Sequence, residues 1–570
     1  MVKKLFGQVL KDMNLISEEK LLVALEEQKR TGKFLGRTLV DLHLMDENVL
    51  RRVLSVQSGI EIIDLAKLDI PPNVIALIPA VIAKTYQILP VGQEGRETII
   101  VAVNDVLNEF IHENIRFAVG RPVRMVLADP KELTSALEKY YGREMLAIDD
   151  IMGYFAETDV YLGAKEGDAE QTIDVSTLEE LSNQPPVTSL FNIILLQVCK
   201  DNASDIHLEP FESDFRVRYR VDGKLYDLVH PYKDLAFGLL CRFKIMSGMD
   251  ISERRLPQDG RLEFHTGGRD LDLRLSTVPT VFGECLAVRV LDRTRIDFRL
   301  DNIGLHTGDQ EKIHNLIKIP QGIILATGPT GCGKTTTLYA ALKELNSPDV
   351  KLITTEDPVE YLLPGAIQVP IREKIGLTFS SCLRSILRQD PDIIFVGEIR
   401  DLDTAEIAIQ ASLTGHLVVS SLHTNDAPSA ITRLMDMTIE PYLLSSTIIG
   451  IIGQRLVRTL CSECKIEYTP DKLELLEVNL TPEQVQGRKF YQPTGCGRCK
   501  GGFRGRTALF EVLVPNEELW AMVVSRRPLS EIRKKAVEQG MRTMVTDGQE
   551  KVLTGVTTIG EVSHEIHGYA

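Results

Sequence analysis

The sequence has no run of about 18 apolar residues, the length that a helix needs to cross a bilayer. Its first residues, 1–7, also lack an apolar core long enough for a secretory signal. Both absences predict a cytoplasmic protein that spans no membrane. Any association with a membrane would then depend on a partner.

An excess of positive charge is missing as well. The chain has 65 lysines and arginines against 80 aspartates and glutamates, a formal net charge of −15. This balance argues against a nucleic-acid binder, because such proteins neutralise phosphates with clustered basic side chains. With 44% apolar and 25% charged residues, the 570-residue chain is typical of a globular protein of three or four domains.

Cysteine is scarce, with nine residues in the whole chain. This number fits a reducing compartment, and we expect the five scattered cysteines to be buried or reduced thiols. They are Cys199, Cys241, Cys285, Cys332 and Cys382. The other four stand in two close pairs.

A glycine-rich motif of the form G-x-x-x-x-G-K-[ST] lies between an apolar run at 322–327 and a helix-forming run at 336–346. Strand, loop and helix N-terminus together form the anion site that this motif requires. We expect Lys334 to reach the β- and γ-phosphates of ATP, and Thr335 to hold Mg²⁺. The alternative is a glycine-rich turn that binds nothing. The predicted nucleotide-binding residues are Gly328, Pro329, Thr330, Gly331, Cys332, Gly333, Lys334, Thr335 and Thr336.

Four apolar runs of the last domain each end in polar residues. The runs cover 323–327, 352–355, 393–396 and 417–420. Because strands alternate with helices here, we expect a mostly parallel sheet covered on both faces. Ligands bind outside the carboxyl ends of such strands. The polar residues should therefore converge on one crevice beside the phosphates.

Two acids follow these runs. Glu398 comes after an apolar strand and a glycine, as a Walker B acid does, and we expect it to serve Mg²⁺ through water. Glu356 is the candidate that orients or deprotonates the attacking water. Each acid alternatively caps a helix or lies solvated in a loop. The sequence leaves open which acid is the base.

Two histidines, His416 and His423, bracket the fourth run. A single histidine at a strand end is more often structural than catalytic. Two of them in one segment predict contact with the nucleotide, as sensors of the γ-phosphate or of a neighbouring subunit.

Two arginines, Arg274 and Arg289, lie in segments where apolar and polar residues alternate. The period of two predicts half-buried strands, with both guanidinium groups on the face away from the apolar residues. By pattern alone, this arrangement favours a solvated polar face.

Two C-x-x-C pairs are separated by the 31 residues 465–495. A long insert between the pairs costs little closure entropy. Four thiolates suit a tetrahedral, structural Zn²⁺ site. An iron–sulfur cluster and a redox pair are the alternatives. The predicted ligands are Cys461, Cys464, Cys496 and Cys499.

The first 60 residues contain a repeat with a period of 29, since residues 7, 10, 15, 25 and 28 recur at 36, 39, 44, 54 and 57. Each unit predicts two short helices, and the two units should pack together. We predict an N-terminal domain at 1–142, an acidic linker at 143–180 and an α/β lobe at 181–300. An ATPase lobe at 301–570 would include a zinc subdomain at 456–503.

The motif at 328–335 and four further segments resemble the secretion ATPase superfamily. The segments are ITTEDPVE at 353–360, LRQDPD at 387–392, VGEIRD at 396–401 and LTGH at 413–416. The phosphate loop resembles the family's Walker A motif. The other segments resemble its Asp box, Walker B motif and His box. The tetracysteine and the long N-terminus narrow the resemblance to PilB-type ATPases of type IV pilus assembly and the related GspE-type ATPases of type II secretion. Pilus retraction ATPases are similar in the motor but lack both features.

This resemblance implies an α/β multidomain fold. It has a RecA-like P-loop ATPase core, a preceding α/β (PAS-like) lobe, a helical and α/β N-terminal domain and a zinc-binding subdomain. The resemblance also implies a homohexamer with ATP, Mg²⁺ and Zn²⁺ as cofactors. Arg274 and Arg289 match the family's arginine fingers, which act on the γ-phosphate in cis or in trans. Arg384, Arg388 and Arg455 resemble further basic positions of the motor.

The partners are also implied by the resemblance. Hydrolysis would rotate two lobes and move an inner-membrane platform protein that adds pilin to a fibre, together with cytoplasmic assembly components. The chain would then lie in the cytoplasm, held at the inner membrane through these partners. A type II secretion ATPase, which drives pseudopilus assembly, is the alternative.

The N-terminal repeat resembles a domain that binds cyclic di-GMP in some of these ATPases and carries Arg-Leu-Gly at the start of each repeat. The matching positions here read Leu-Phe-Gly at 5–7 and Phe-Leu-Gly at 34–36, without the arginine. This departure favours a helical docking module for a membrane partner over a dinucleotide site.

Two other classes of function compete with a motor. A regulatory protein that binds nucleotide without turnover has no need of Lys334, Thr335, Glu356 and Glu398 together. A nucleic-acid motor on the same core is disfavoured by the acidic balance of the chain.

Overall fold

The computed structural model describes residues 60–95, 98–103, 122–142, 175–266, 269–292 and 299–566, together with single positions before residue 60. The chain divides into two compact units, of which the first takes in 1–267 and 271–291 and the second 268–270 and 292–570. Both contain helices and strands, which confirms the predicted α/β class. Among the residues so described, no helix is long and apolar enough to cross a bilayer.

The 29-residue repeat recurs in the structure of the first unit. Leu10 and Leu39, one period apart, are both fully buried. The carbonyl of each accepts a backbone hydrogen bond from the residue five positions later, Leu15 at 3.1 Å and Leu44 at 2.9 Å. Both belong to one apolar cluster, so the two repeat units share a small core. The other recurring positions, 7, 25, 28, 36, 54 and 57, lie outside the described residues, as do both tripeptides at 5–7 and 34–36.

A small sheet follows the repeat, and the described residues around it include three α-helices. Its first two strands pair antiparallel and its last two parallel. The strands, in order along the chain and in the sheet, are β1 (Leu89–Glu94), β2 (Thr98–Val103) and β3 (Val123–Leu127). The helices are α1 (Pro72–Ile75), α2 (Ala80–Tyr86) and α3 (Pro130–Tyr141).

The end of the segment predicted as a linker is helical. Residues 143–174 lie outside the described part of the chain, but α4 (Val175–Ser182) takes up the last six residues of the predicted range. Leu178 is buried there in an apolar cluster with Cys241 and Ile251. Packing against these residues holds the helix, a contact that the local acidic composition does not reveal.

The rest of the first unit is an α/β lobe with a six-stranded sheet in the order β6-β5-β4-β9-β8-β7. Alternate side chains of β5 are buried, so one face meets the helices and the other is polar. The strands are β4 (Asp205–Pro210), β5 (Phe215–Val221), β6 (Lys224–Val229), β7 (Gln258–Thr266), β8 (Arg269–Thr280) and β9 (Gly283–Asp292). The helices after α4 are α5 (Pro185–Asp201) and α6 (Lys233–Met246).

The second unit is built on a seven-stranded sheet in the order β12-β11-β13-β14-β10-β15-β18. Every pairing is parallel except that of β15 with β18. Ile323 and Leu325 pack into one apolar core while Ile324 and Ala326 pack into another. The sheet is therefore covered on both faces, as predicted.

The strands of this sheet are β10 (Gly322–Thr327), β11 (Leu352–Glu356), β12 (Ile367–Pro370), β13 (Ile393–Val396), β14 (Leu417–Leu422), β15 (Ile448–Leu460) and β18 (Phe503–Leu513). A separate antiparallel pair consists of β16 (Ile466–Tyr468) and β17 (Phe490–Gln492). The helices are α7 (Thr307–Leu316), α8 (Lys334–Leu345), α9 (Phe379–Ile386), α10 (Leu402–Leu413), α11 (Ala427–Asp436), α12 (Pro441–Thr447), α13 (Lys472–Glu477), α14 (Pro482–Val485), α15 (Glu517–Val524), α16 (Leu529–Glu538), α17 (Met544–Leu553) and α18 (Ile559–Ile566).

Candidate functional site

Four parallel strand ends lie side by side at one edge of the seven-stranded sheet, in the order β11, β13, β14 and β10. At or just beyond these ends stand Glu356, Glu398, His423 and Gly328, in the same order. The structure thus brings together the four polar segments that the sequence predicts to converge. This carboxyl edge is where parallel sheets bind ligands.

The phosphate loop depends on glycine at its first position. Gly328 has a φ of 150°, in the region that favours glycine. A Cβ atom there would lie 2.5 Å from the Sγ of Cys332 and 2.5 Å from the carbonyl oxygen of Gln454. Both contacts are shorter than real Cβ contacts, so a side chain at this position would displace the loop.

Gln454 supports the same loop from the neighbouring strand β15. Its side chain is buried, and its Nε2 donates a hydrogen bond of 2.7 Å to the carbonyl of Cys332. The thiol of Cys332 is itself buried, and burial raises its pKa. Gln454 and Cys332 therefore act as packing and anchoring residues under the loop.

Lys334 begins α8 and turns back over the loop. Its Nζ donates to the carbonyls of Gly328 at 2.7 Å and Pro329 at 2.9 Å, which places the ammonium group within the loop. Burial lowers the pKa of Lys334, and the nearby Glu398 carboxylate opposes this effect. Thr335 is exposed at the helix N-terminus, where its hydroxyl is available to a metal ion. The backbone N–H groups of the same helix end favour an anion.

Glu398 lies within an ion-pair cluster at the end of β13. One carboxylate oxygen pairs with the Arg400 guanidinium group, and the other lies 2.9 Å from Nε2 of His423. The side chain of Glu398 is 17% exposed. Burial by itself raises the pKa of Glu398, but the contacts with His423 and Arg400 outweigh it and lower the pKa. The carboxylate is thus kept ionised with some access to solvent, as a metal-serving or basic group requires.

Glu356 is buried to a much greater degree, with 2% of the residue exposed. Tyr339 donates to its Oε2, and Thr354 donates to its Oε1 at 2.6 Å. Gln368 donates to the same Oε1 at 3.0 Å. Both carboxylate oxygens therefore have side-chain partners from the protein interior.

His416 is not brought to the phosphate loop. It precedes β14, at the amino edge of the sheet, and its carbonyl accepts a hydrogen bond of 3.2 Å from the N–H of Gly322, the first residue of β10. Its Nδ1 lies 2.9 Å from the carbonyl oxygen of Ala411. A nucleotide contact of His416 in its own subunit does not fit this position, because the full length of β10 separates it from the loop. The sequence predicts both histidines at one site because it does not show that the whole length of β14 lies between them.

Arg274 and Arg289 lie on β8 and β9, which are neighbours in the sheet of the first unit. Both project from the face opposite the buried leucines and valines of the core, as predicted. Arg274 Nε lies 4.0 Å from the buried Asp272 carboxylate, and Arg289 Nε lies 3.9 Å from Asp205. Arg289 is the more exposed of the two.

The four paired cysteines form one cluster, in which all four Sγ atoms lie within 4.8 Å of one another. The separations of Cys461 from Cys496 and of Cys464 from Cys499 are 4.0 Å and 3.6 Å. A tetrahedral Zn²⁺ ion with bonds of about 2.3 Å needs sulfur atoms about 3.8 Å apart. The donor set therefore fits a structural zinc ion.

Several contacts of the site cannot be predicted from the sequence. Arg400 lies inside the Walker B-like segment, where its charge two residues after Glu398 is the available signal. Tyr339, Gln368 and Gln454 carry no such signal, because each reaches the site from a different element. Only the hydrogen bonds of these three side chains in the folded protein show their roles.

Comparison with known proteins places the chain in a family. The family model described as type II/IV secretion system protein matches residues 180–564. The chain belongs to this family. A second model, the MshEN domain, matches residues 58–146.

Individual relatives cover nearly the whole chain. The type IV pilus assembly ATPase PilB of Myxococcus xanthus is 40% identical over 559 residues, 98% of each protein. The type II secretion system protein E of Xanthomonas campestris is 42% identical over 559 residues, 97% of this chain and 95% of the relative. The solved structure of the Legionella pneumophila ATPase DotB covers 70% of this chain and 98% of its own, with a TM-score of 0.50 and 22% identity. That last likeness concerns the fold alone.

The cysteine cluster leads to a metal prediction. Cys461→Ser should release the ion and lower the melting temperature of the second unit, because the remaining three thiolates no longer close the site. Elemental analysis of the purified protein should find about one zinc per wild-type chain and less than half of that in the variant.

Cys285→Ser is the matched control, since Cys285 lies in the first unit and is only half-buried. It should keep the full zinc content. A wild-type chain without bound metal would contradict the assignment, and iron in place of zinc would indicate a cluster instead.

Proposed function

We propose that the chain is an ATP-hydrolysing motor that powers type IV pilus assembly, the polymerisation of pilin at the inner membrane. The observation that carries this proposal is the arrangement at the carboxyl edge of the sheet, where the Lys334 loop and the Glu398–His423 pair stand on neighbouring parallel strands. This arrangement lies in a chain that aligns over 98% of its length with a pilus assembly ATPase.

The side chains present match the needs of phosphoryl transfer, namely charge neutralisation, a metal ion and a positioned water. Lys334 neutralises the β- and γ-phosphates. Thr335 and Glu398 would hold Mg²⁺, Glu398 through water, and the ion supplies further charge neutralisation when it is bound. Glu356 is the candidate that orients the attacking water, and Glu398 is the other acid within the site.

We also propose that two arginines of the first unit act as arginine fingers. Arg274 and Arg289 would contact the γ-phosphate, either in their own chain or in a neighbour of a homohexamer, and stabilise the charge of the transition state. Their common face on adjacent strands supports a joint role. The tetracysteine cluster would hold a structural Zn²⁺ ion in the same chain.

The proposed partners are an inner-membrane platform protein and cytoplasmic components of pilus assembly. The chain would work in the cytoplasm, at the inner membrane, through these contacts. The MshEN match to residues 58–146 supports a regulatory or docking role for the N-terminal domain. Cyclic di-GMP is a weaker candidate ligand, because both tripeptides of the repeat lack arginine.

A second candidate function is the type II secretion ATPase. The Xanthomonas campestris relative, at 42% identity over 97% of this chain, supports it, but the relatives do not favour it over pilus assembly. The nucleotide chemistry would be the same in both cases, so the site does not separate the two.

The chemistry is tested with two variants. Lys334→Ala should abolish tight nucleotide binding, because the ammonium group at the loop is lost. Glu398→Gln should lower kcat by about 100-fold or more while sparing binding, since a carboxylate is needed for the reaction. Purified proteins are compared for ATP turnover and for affinity towards a fluorescent ATP analogue.

Lys343→Ala and Glu406→Gln make the same chemical changes at exposed helix positions and should behave as the wild type. Turnover near the wild-type rate in Glu398→Gln would remove that residue from the mechanism.

His423 leads to a prediction on pH dependence. Glu398 must be ionised, so activity is lost as the pH falls through its pKa in the folded protein. Because His423 helps to lower that pKa, His423→Ala should move the acid limb of the kcat profile to higher pH. His314→Ala, which removes a histidine paired with Glu344 on the surface, should leave the limb in place. An unchanged limb in His423→Ala would contradict this reading of the pair.

The biological role is tested in the native cell. The gene is deleted and complemented with the wild type or with Lys334→Ala, and surface pili and secreted proteins are measured in parallel. Loss of pili with normal secretion is the expected result. Normal pili with lost secretion would move the assignment to the type II secretion ATPase.

A further inference from the structure

The Glu356 carboxylate lies in a cage of three side-chain donors. Three separate elements supply them: Tyr339 from α8, Thr354 from β11 and Gln368 from β12. Thr354 is fully buried, and so is Tyr339. A buried carboxylate without such donors would cost several kcal/mol of folding free energy. The cage therefore gives both oxygens of this buried carboxyl group hydrogen-bond donors from the protein.

Tyr339 is the most informative of the three donors, because it belongs to the helix that follows the phosphate loop. It stands five residues after Lys334, and its ring packs edge-on against Phe395 and Tyr361. Its hydroxyl also lies 3.3 Å from the carbonyl oxygen of Tyr361, a more distant acceptor for the same proton. These contacts leave the hydroxyl little freedom to move away from Glu356 unless α8 itself moves.

The hydroxyl also stays protonated. Burial, together with the adjacent Glu356 carboxylate, raises the pKa of Tyr339 far above its ordinary value. Tyr339 is therefore a fixed donor, and Glu356 the acceptor.

Gln368 is the second link of the cage. Its Nε2 donates to Glu356 and, at 2.9 Å, to the Tyr361 carbonyl, while its Oε1 accepts the backbone N–H of Leu363 at 2.8 Å. The side-chain amide is thus fixed at both ends. Its strand β12 is paired in parallel with β11, on which Glu356 is the last residue.

We propose that Tyr339 is a positioning residue that sets the orientation of the Glu356 carboxylate and links it to the helix of the phosphate loop, with Thr354 and Gln368 completing the cage. This inference rests on the proposed ATPase function and extends it to residues that touch neither nucleotide nor metal. Movement of α8 when phosphate binds its N-terminus would be passed to the acid through a single hydroxyl group.

The test removes one hydroxyl group at a time. Tyr339→Phe keeps the ring and its packing, and Thr354→Val keeps the shape of the side chain. Each should lower kcat by about tenfold or more, the size that the loss of a hydrogen bond to a charged group brings. KM and the affinity for a fluorescent ATP analogue should stay within about twofold of the wild type, because neither side chain touches the nucleotide.

Two controls separate positioning from a general structural role. Thr354→Ser restores the hydroxyl and should recover most of the kcat lost in Thr354→Val. Tyr219→Phe removes another buried tyrosine hydroxyl that donates to a carboxylate, Asp201 at 2.8 Å in the first unit, and should leave kcat unchanged.

A double variant tests the route of the effect. If Tyr339 acts through Glu356, then Tyr339→Phe should lower the residual kcat of Glu356→Gln by less than about twofold, since the acceptor's function is already gone. If the double variant loses kcat by the product of the two single fold-losses, the inference is overturned.

The outcomes distinguish this inference from the proposed function. A wild-type kcat retained in Tyr339→Phe and Thr354→Val, while Lys334→Ala is inactive, would overturn the positioning role alone. A wild-type chain that hydrolyses no ATP would overturn the proposed function and this inference with it. Loss of folding in Tyr339→Phe leaves the decision to the Thr354 pair, whose valine and serine members differ by the hydroxyl group.

Discussion

The parallel pairing of β10, β14, β13 and β11 is the constraint on which the site depends. Parallel strands begin at one edge of a sheet and end at the other, so residues far apart in the chain become neighbours at the carboxyl edge. The phosphate loop, His423, Glu398 and Glu356 all owe their proximity to this order. The same rule keeps His416 away, because it stands where β14 begins.

Charge at this edge is stabilised by partners rather than by solvent. The ammonium group of Lys334 lies against loop carbonyls, and Glu398 lies between Arg400 and His423. Glu356 is enclosed by neutral donors instead. The environments of Glu398 and Glu356 therefore differ, and the difference suits different roles. A carboxylate paired with cations and partly open to solvent suits a metal, while neutral hydroxyl and amide donors satisfy the hydrogen bonds of a buried carboxyl group without an opposing ion.

The cysteine cluster lies beside a small separate sheet of the same unit. The two strands β16 and β17 have only three residues each, too short to be stable alone. Four sulfur atoms at tetrahedral spacing, with the N–H of Cys496 donating to Cys499 Sγ at 3.2 Å, lie next to this small sheet and would close it when they hold a metal ion. An ion pair of 2.7 Å between Arg498 and Glu463 also joins the two C-x-x-C turns.

Much of this protein is determined by local sequence. The strand at 322–327, the helix after Lys334 and the strands that carry Arg274 and Arg289 follow from apolar periodicity and from the glycines of the loop. The 29-residue repeat and the four cysteines are likewise visible as spacing alone, because each reflects a contact pattern that repeats along the chain.

Other features are decided only by the tertiary structure. The helix at 175–182, the position of His416 at the far edge and the cage around Glu356 depend on contacts between segments distant in sequence. Tyr339 illustrates the reason. Its position in the chain marks it as one more apolar residue of a helix, and only the packing of α8 over the sheet brings its hydroxyl to the acid at the end of β11. Periodicity predicts which face of an element is buried, but the partner that a buried polar atom meets is set by how the elements pack.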